Sequence, residues 1–204
     1  MKQTPYYFYD IDLLRETLNT VNKEVKGSKF KVHYAIKANQ NPGILSEIKL
    51  AGFGADCVSG GEIKYALDAD FPADEIVFAG VGKTDAEIIY ALENGVGMIH
   101  CESLQEICVI DELAKQRNTF AKIALRLNPN VNPLTHEKIS TGLKENKFGL
   151  TSLEFEELIS LYPILKNIHI VGLHFHVGSQ IQDMSVFVEL CERINDLVPV
   201  FEEH

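Results

Sequence analysis

From residue 30 onward, short runs of β-branched and aliphatic residues alternate with stretches whose apolar positions recur every three or four residues. The runs predict strands at residues 32–36, 55–58, 76–79, 97–101, 123–127 and 168–175. The first five begin 21 to 26 residues apart, room for a strand, a helix and two turns. The periodic stretches predict helices at 42–51, 60–69, 84–94 and 103–116, and a further amphipathic stretch at 186–201 follows the sixth strand. Glu62 stands three residues after Ser59, the spacing of a capping box at the start of the second of these helices. Gly52 and Gly95 fall where a glycine closes a helix. Parallel strands joined by right-handed helical crossovers make either an open doubly wound sheet or a closed barrel.

Two features favour the barrel. The turn after the first strand, Lys37-Ala38-Asn39-Gln40-Asn41-Pro42, is not a glycine-rich phosphate cradle, and the units repeat without a point of reversal. The expected fold is therefore α/β of the (β/α)8 TIM-barrel type, here an incomplete barrel of about six βα units. Eight units usually need about 250 residues, so 204 residues with six strands read as part of something longer, or as a chain that needs a partner.

Composition narrows the function classes. At 46% hydrophobic and 24% charged, the chain reads as an ordinary globular sequence, which sets aside disorder and low complexity. A formal charge of −10 disfavours a general nucleic-acid binder, which needs a basic face. No apolar run approaches the roughly 18 residues of a membrane span, so no membrane partner is expected. Cys57, Cys101, Cys108 and Cys191 form no C-x-x-C pair, the pattern of free thiols in a reducing cytoplasm.

The chemistry stands out where polar groups interrupt strands that ought to be apolar on both faces. Alternation along Val32-His33-Tyr34-Ala35-Ile36-Lys37 sends Val32, Tyr34 and Ile36 to the helices and His33, Ala35 and Lys37 to the barrel interior. The same arithmetic turns Ala124, Arg126, His174 and His176 inward, and Leu125, Leu127, Leu173 and Phe175 outward. Asp56 ends near the same mouth, at the strand C-termini where barrel enzymes keep their active sites. Each residue alone has a bland reading: a solvated lysine, a loop-pinning arginine, a capping aspartate. Together they bring a lysine, an arginine, an aspartate and two histidines to one rim from four strands, and such charges are costly to bury without partners or a polar ligand. Residues 128–148 are long for a loop, a length often used for lids or binding segments. Two apparent motifs are decoys. The sequence from Gly52 to Cys57 lacks the last glycine of a dinucleotide fingerprint, and Gly82-Lys83-Thr84 lacks the first glycine of a P-loop and reads better as a turn capping the Thr84 helix.

Several motifs carry a family resemblance. Tyr34-Ala35-Ile36-Lys37-Ala38-Asn39 resembles the cofactor-lysine motif of the barrel-fold pyridoxal-phosphate decarboxylases, whose relatives include alanine racemase. Gly54-Ala55-Asp56-Cys57-Val58-Ser59-Gly60-Gly61-Glu62 is similar to their second-strand motif, and His174-Phe175-His176-Val177-Gly178-Ser179-Gln180 to their sixth. Arg126-Leu127-Asn128-Pro129 and the segment from Ser140 to Leu150 resemble the diaminopimelate decarboxylases within that family. The resemblance implies pyridoxal 5'-phosphate as cofactor and no metal. It makes Lys37 the lysine that condenses with the cofactor aldehyde, with Asp56 close to Lys37 and the ring. Arg126 would lie near the phenolic oxygen, His176 would stack on the ring and Ser179 would bind the phosphate. It further implies decarboxylation of meso-2,6-diaminopimelate to L-lysine by a cytoplasmic homodimer with shared active sites. Residues 1–25 would be a strand and helix associated with a β domain absent from this chain, residues 26–204 a partial cofactor-binding barrel, and the chain by itself inactive. Three other readings compete: a same-fold decarboxylase of ornithine, arginine or a polyamine precursor; a non-enzymatic cofactor-binding barrel; and a metal-dependent amidohydrolase built on His174 and His176.

Overall fold

The computed structural model describes residues 3–127, 148–179 and 181–202. A helix, α1 (Ile11–Val25), precedes six strands: β1 (His33–Ala35), β2 (Gly54–Cys57), β3 (Ile76–Phe78), β4 (Met98–Cys101), β5 (Ala121–Arg126) and β6 (Ile168–His174). Each strand is followed by a helix, in order α2 (Pro42–Leu50), α3 (Gly60–Asp68), α4 (Asp85–Glu93), α5 (Leu104–Gln116), α6 (Ser152–Leu161) and α7 (Ser185–Glu202). The strands form one parallel sheet in chain order, with β1 and β6 as its outer strands. Sequential order without a reversal is the arrangement of a barrel wall.

The two faces of the sheet differ as the alternation predicts. Ala55, Cys57, Ile76, Phe78, Ile99, Cys101, Ile123 and Leu125 point to the helices and are at most 2% exposed. They join Leu45, Ile48, Ile63, Ile88, Ile107 and Ile110 from the helices in one hydrophobic cluster. Burial of this face is the main stabilising term of the fold. The helix ends also follow the sequence. Gly52 and Gly95 take positive φ, +83° and +69°. In each case the residue that follows donates its amide back to the helix, Phe53 to Ile48 and Val96 to Ala91. Thr84 and Glu87 form a complete capping box on α4, so Gly82-Lys83-Thr84 is a helix entry. At α3 only half of the expected box forms. Ser59 accepts from the Glu62 amide, but the Glu62 carboxylate reaches one residue further back, to the Val58 amide at 2.8 Å.

Two expectations about β1 and the N-terminus need comment. The first strand ends at Ala35, not Ile36, and Ile36–Ala38 forms a 3-10 turn. The Asn39 side chain accepts from the Asn41 amide and Asn41 caps α2, so the chain has to turn early. Residues 6–9 belong to no strand among the described residues, and Tyr7 and Phe8 are 88% and 75% exposed. Helix α1 rests on the helical layer, where Arg15 pairs with Glu47 and Asn22 donates to the Ala51 carbonyl.

One glycine is required by a close approach. At Gly97 a Cβ would lie 2.1 Å from the Asp74 carbonyl oxygen, against backbone that cannot swing aside. Gly97→Ala is expected to lower unfolding stability by about 1–3 kcal/mol, read as a shift in the urea midpoint of the complete protein at unchanged slope.

Candidate active site

The inner face of the sheet is polar at its C-terminal rim. Register pairs His33 with Gly54, Ala35 with Asp56, Asp56 with Val77, His100 with Ala124, Ala124 with Gly172, and Arg126 with His174. Small partners make room for the rings: a Cβ at Gly54 would lie 2.4 Å from the His33 imidazole. A Cβ at Gly172 would meet nothing within 4 Å, so the inner face is open there. Lys37 sits on the turn just past β1 and is exposed, Asp56 lies half-buried in β2, and Arg126 ends β5. His174 ends β6, and His176 and Ser179 follow it as exposed residues, Ser179 just past Gly178.

Asp56 is the electrostatic centre of this rim. Its Oδ1 is buried without a hydrogen-bond partner. Desolvation raises its pKa above the ordinary carboxylate value, while the charges of Lys37, His33 and His176 pull it down and Glu62 pushes it up. Thus the charges of Lys37 and His176 both act on Asp56, which makes three of the five residues named from the sequence. Ser179 lies outside this set.

Deeper on the same face, His100 and His174 stack with ring centroids 4.2 Å apart, and the Nδ1 of each is buried and unpartnered. Burial is the first cause that lowers both, His100 to about 4 and His174 to about 3, with neighbouring cationic groups adding to it. The rings are therefore neutral near pH 7. Because the unfolded chain protonates these rings first, from about pH 6.5 downward, stability falls as pH drops from 6.5 towards 4. His174→Phe keeps the ring but not the titration, and is expected to flatten that acid limb in urea midpoints measured against pH. Asp56, whose raised pKa favours the folded state on protonation, acts with the opposite sign.

Arg126 is held differently from the expectation that placed it on the rim alone. Its Nη1 donates to both oxygens of Glu102, at 2.8 Å each, and the pair is well buried, with side chains 14% and 8% exposed. The guanidinium also lies over the Phe148 ring at 5.6 Å. The Glu102 amide donates to Glu106, which pairs with Lys83 at 2.7 Å. The Lys83 side chain is 1% exposed and donates in addition to the Gly80 and His100 carbonyls. Sequence reasoning missed Glu102, Glu106 and Lys83. Period two from His100 points to Glu102, and the pattern Cys101-Glu102-Ser103-Leu104-Gln105-Glu106 repeats Cys57-Val58-Ser59-Gly60-Gly61-Glu62. In both, the serine caps the helix and the glutamate accepts the amide one residue before it.

A cavity of about 470 Å³ opens at the other end of the inner face, between Lys31, His33, Glu75, Val77, Met98 and Val171. Lys31 and Glu75 pair across it at 2.6 Å beside Asp74, and it carries no reactive set. The rim is the chemically equipped end. A flat, anionic, hydrogen-bonding group suits it. Asp56 Oδ1 and the two imidazole Nδ1 atoms lack partners, the face is open at Gly172, and cationic Lys37 and Arg126 stand beside it. Pyridoxal phosphate fits that description. The motif segment at 128–147 and Gln180 lie outside the described residues.

Comparison with known proteins follows the same line. Residues 11–204 match the family described as pyridoxal-dependent decarboxylase, pyridoxal binding domain. The chain is 52% identical over 196 residues to the diaminopimelate decarboxylase of Bacteroides thetaiotaomicron, covering 96% of this chain and 51% of that protein. Against the diaminopimelate decarboxylase of Zymomonas mobilis it is 41% identical over 206 residues, covering 98% and 48%. The crystal structure of diaminopimelate decarboxylase from Helicobacter pylori complexed with L-lysine matches with a TM-score of 0.83 at 39% identity, over 98% of this chain and 52% of that one. The arginine decarboxylase of Paramecium bursaria Chlorella virus, at 24% identity and a TM-score of 0.70, shares the fold. The chain spans about half the length of the curated relatives it matches. The expected incomplete (β/α) barrel and pyridoxal cofactor are borne out.

Proposed function

The chain belongs to the pyridoxal-dependent decarboxylases, through their pyridoxal-binding domain, and from that premise we propose that it is the cofactor-binding part of a diaminopimelate decarboxylase. The complete protein converts meso-2,6-diaminopimelate to L-lysine and CO2. Sequence identity of 52% to the Bacteroides enzyme supports this substrate. The observation that carries the site is the partnerless, buried Asp56 Oδ1 under the charge of Lys37.

When bound, pyridoxal phosphate supplies an electron sink conjugated to the substrate Cα, into which the electrons of the departing carboxylate pass. The chain's own residues do the rest. Lys37 would hold the cofactor aldehyde through its amine. Asp56 shares the rim with that amine, whose charge acts on its carboxylate. Arg126, fixed by Glu102, presents a cation to the phenolic oxygen. His176 would cover one face of the ring, and Ser179 would donate to the phosphate. The neutral His100–His174 stack floors the cup without adding charge.

In this reading residues 26–204 form the barrel part and residues 1–25 associate with a β domain, α1 being the link that also packs on α2. The exposed rings of Tyr7 and Phe8 support that division. The complete protein is a cytoplasmic homodimer with shared active sites, and residues 1–204 alone are inactive, since among the described residues no strand joins β6 to β1. The test supplies the complete protein and pyridoxal phosphate with meso-diaminopimelate, ornithine or arginine in turn. Lysine and CO2 from diaminopimelate alone support the proposal; faster turnover of ornithine or arginine overturns the substrate.

A further inference from the structure

A buried lysine that the proposed chemistry does not use governs the arginine that it does. We propose that Lys83 and Glu106 are positioning residues for Arg126, acting through Glu102, and so set the affinity of the rim for the cofactor. This rests on the reading that Arg126 faces the cofactor.

The path is continuous and short. Lys83 Nζ lies 2.7 Å from Glu106 Oε1, and Glu106 Oε2 accepts the Glu102 amide at 2.6 Å. The Glu102 carboxylate then receives Arg126 Nη1 at 2.8 Å on both oxygens. Lys83 is also tied to the Gly80 and His100 carbonyls, each at 2.6 Å, which pins the end of β4 to the β3–α4 turn. Side-chain exposure along the path is 1%, 15%, 8% and 14%, so water screens these interactions little.

Charge explains why Lys83 matters at a distance. Two carboxylates, Glu106 and Glu102, are held one helical entry apart and are matched by two cations, one at each end. Without Lys83, Glu106 is left as an unpaired anion beside the Glu102 amide and carboxylate. Like charges so placed repel, and a buried charge without a partner draws either water or a new cation. Arg126, already bound to Glu102, is drawn towards the added negative charge, and such a turn takes its fork away from the rim. Orientation of a guanidinium is what gives it value to an oxygen ligand, because its donors are fixed in one plane.

The test measures pyridoxal 5'-phosphate dissociation constants by absorbance titration of the complete protein, at low and at high salt. Folding is checked in parallel by circular dichroism. Lys83→Met is expected to weaken binding about tenfold, equivalent to roughly 1.4 kcal/mol, at both salt concentrations. The double variant Lys83→Met/Glu106→Gln removes the stranded anion and is expected to return binding to within about threefold of the parent. Arg126→Lys keeps the charge but loses the planar fork, and weakens binding if the underlying reading holds. Weak binding in Arg126→Lys with parent-like binding in Lys83→Met overturns the positioning role alone. A Lys83→Met defect that disappears at high salt also overturns it, since that is a long-range effect of net charge. Parent-like binding in Arg126→Lys overturns the reading of Arg126 itself. If Lys83→Met does not fold, the double variant decides: recovery of fold and binding supports the proposal, and a folded double that binds weakly contradicts it.

Discussion

Lys37→Ala is expected to reduce lysine formation by the complete protein about 10⁴-fold, the scale of removing a covalent nucleophile. The loss falls on kcat, because phosphate and ring contacts elsewhere on the rim still hold the cofactor. The variant should therefore take up pyridoxal phosphate but release all of it on denaturation after borohydride treatment. Lys37 sits past β1 with its charge on Asp56, and among the described residues its side chain forms no ion pair, so its removal is not expected to disturb the fold. Far-ultraviolet dichroism and the urea midpoint check that point. A Lys37→Ala enzyme retaining a tenth of parental activity contradicts the assignment.

Arg126→Met is expected to cost about 3–5 kcal/mol of stability, the largest structural effect of a rim substitution. It strands the Glu102 carboxylate, 8% exposed, without the guanidinium that meets it at 2.8 Å. The contrast lies in the double variant. Arg126→Met/Glu102→Met removes both charges and leaves apolar groups of similar length beside Phe148, so most of the stability should return. Urea unfolding of parent, single and double variants reads this directly. Equal loss in the single and the double shows that packing of the arginine stem, not pairing, dominates. The double variant keeps its fold yet loses the cation that the cofactor meets, which separates stability from binding at one position.

What the sequence revealed and what it hid follow from the range of the forces involved. Outer-face residues such as Ile36, Leu125 and Leu127 were legible because alternation sends every second residue of a strand to the helices, a rule that operates within a strand. The inward turn of Arg126 and His174 followed from the same rule. Thr84 and the glycines at 52 and 95 were legible because capping is settled within a few residues. Lys83 was not. Its local context is a helix entry, while the partners that bury it lie 17 and 23 residues away, on β4 and α5. Glu102 was hidden for a related reason: it lies just past β4, and the Arg126 that it holds is 24 residues further on, at the end of β5. The early end of β1 depends on Asn39 and Asn41 bonding across a turn, which no hydrophobic pattern registers. The resemblance identified the rim from its motifs; the charge network beneath it is visible only once β3, β4 and β5 are side by side.

All of the chemistry assigned to this chain depends on the rim of the inner face being the cofactor cup, with the amine after β1 as its anchor. Reduction of the cofactor-loaded complete protein with borohydride, followed by proteolysis and mass spectrometry, tests this most directly. The account predicts a single pyridoxyl adduct, on the peptide containing Lys37. An adduct on Lys31 or Lys83, or none on Lys37 while the protein still decarboxylates its substrate, would contradict it.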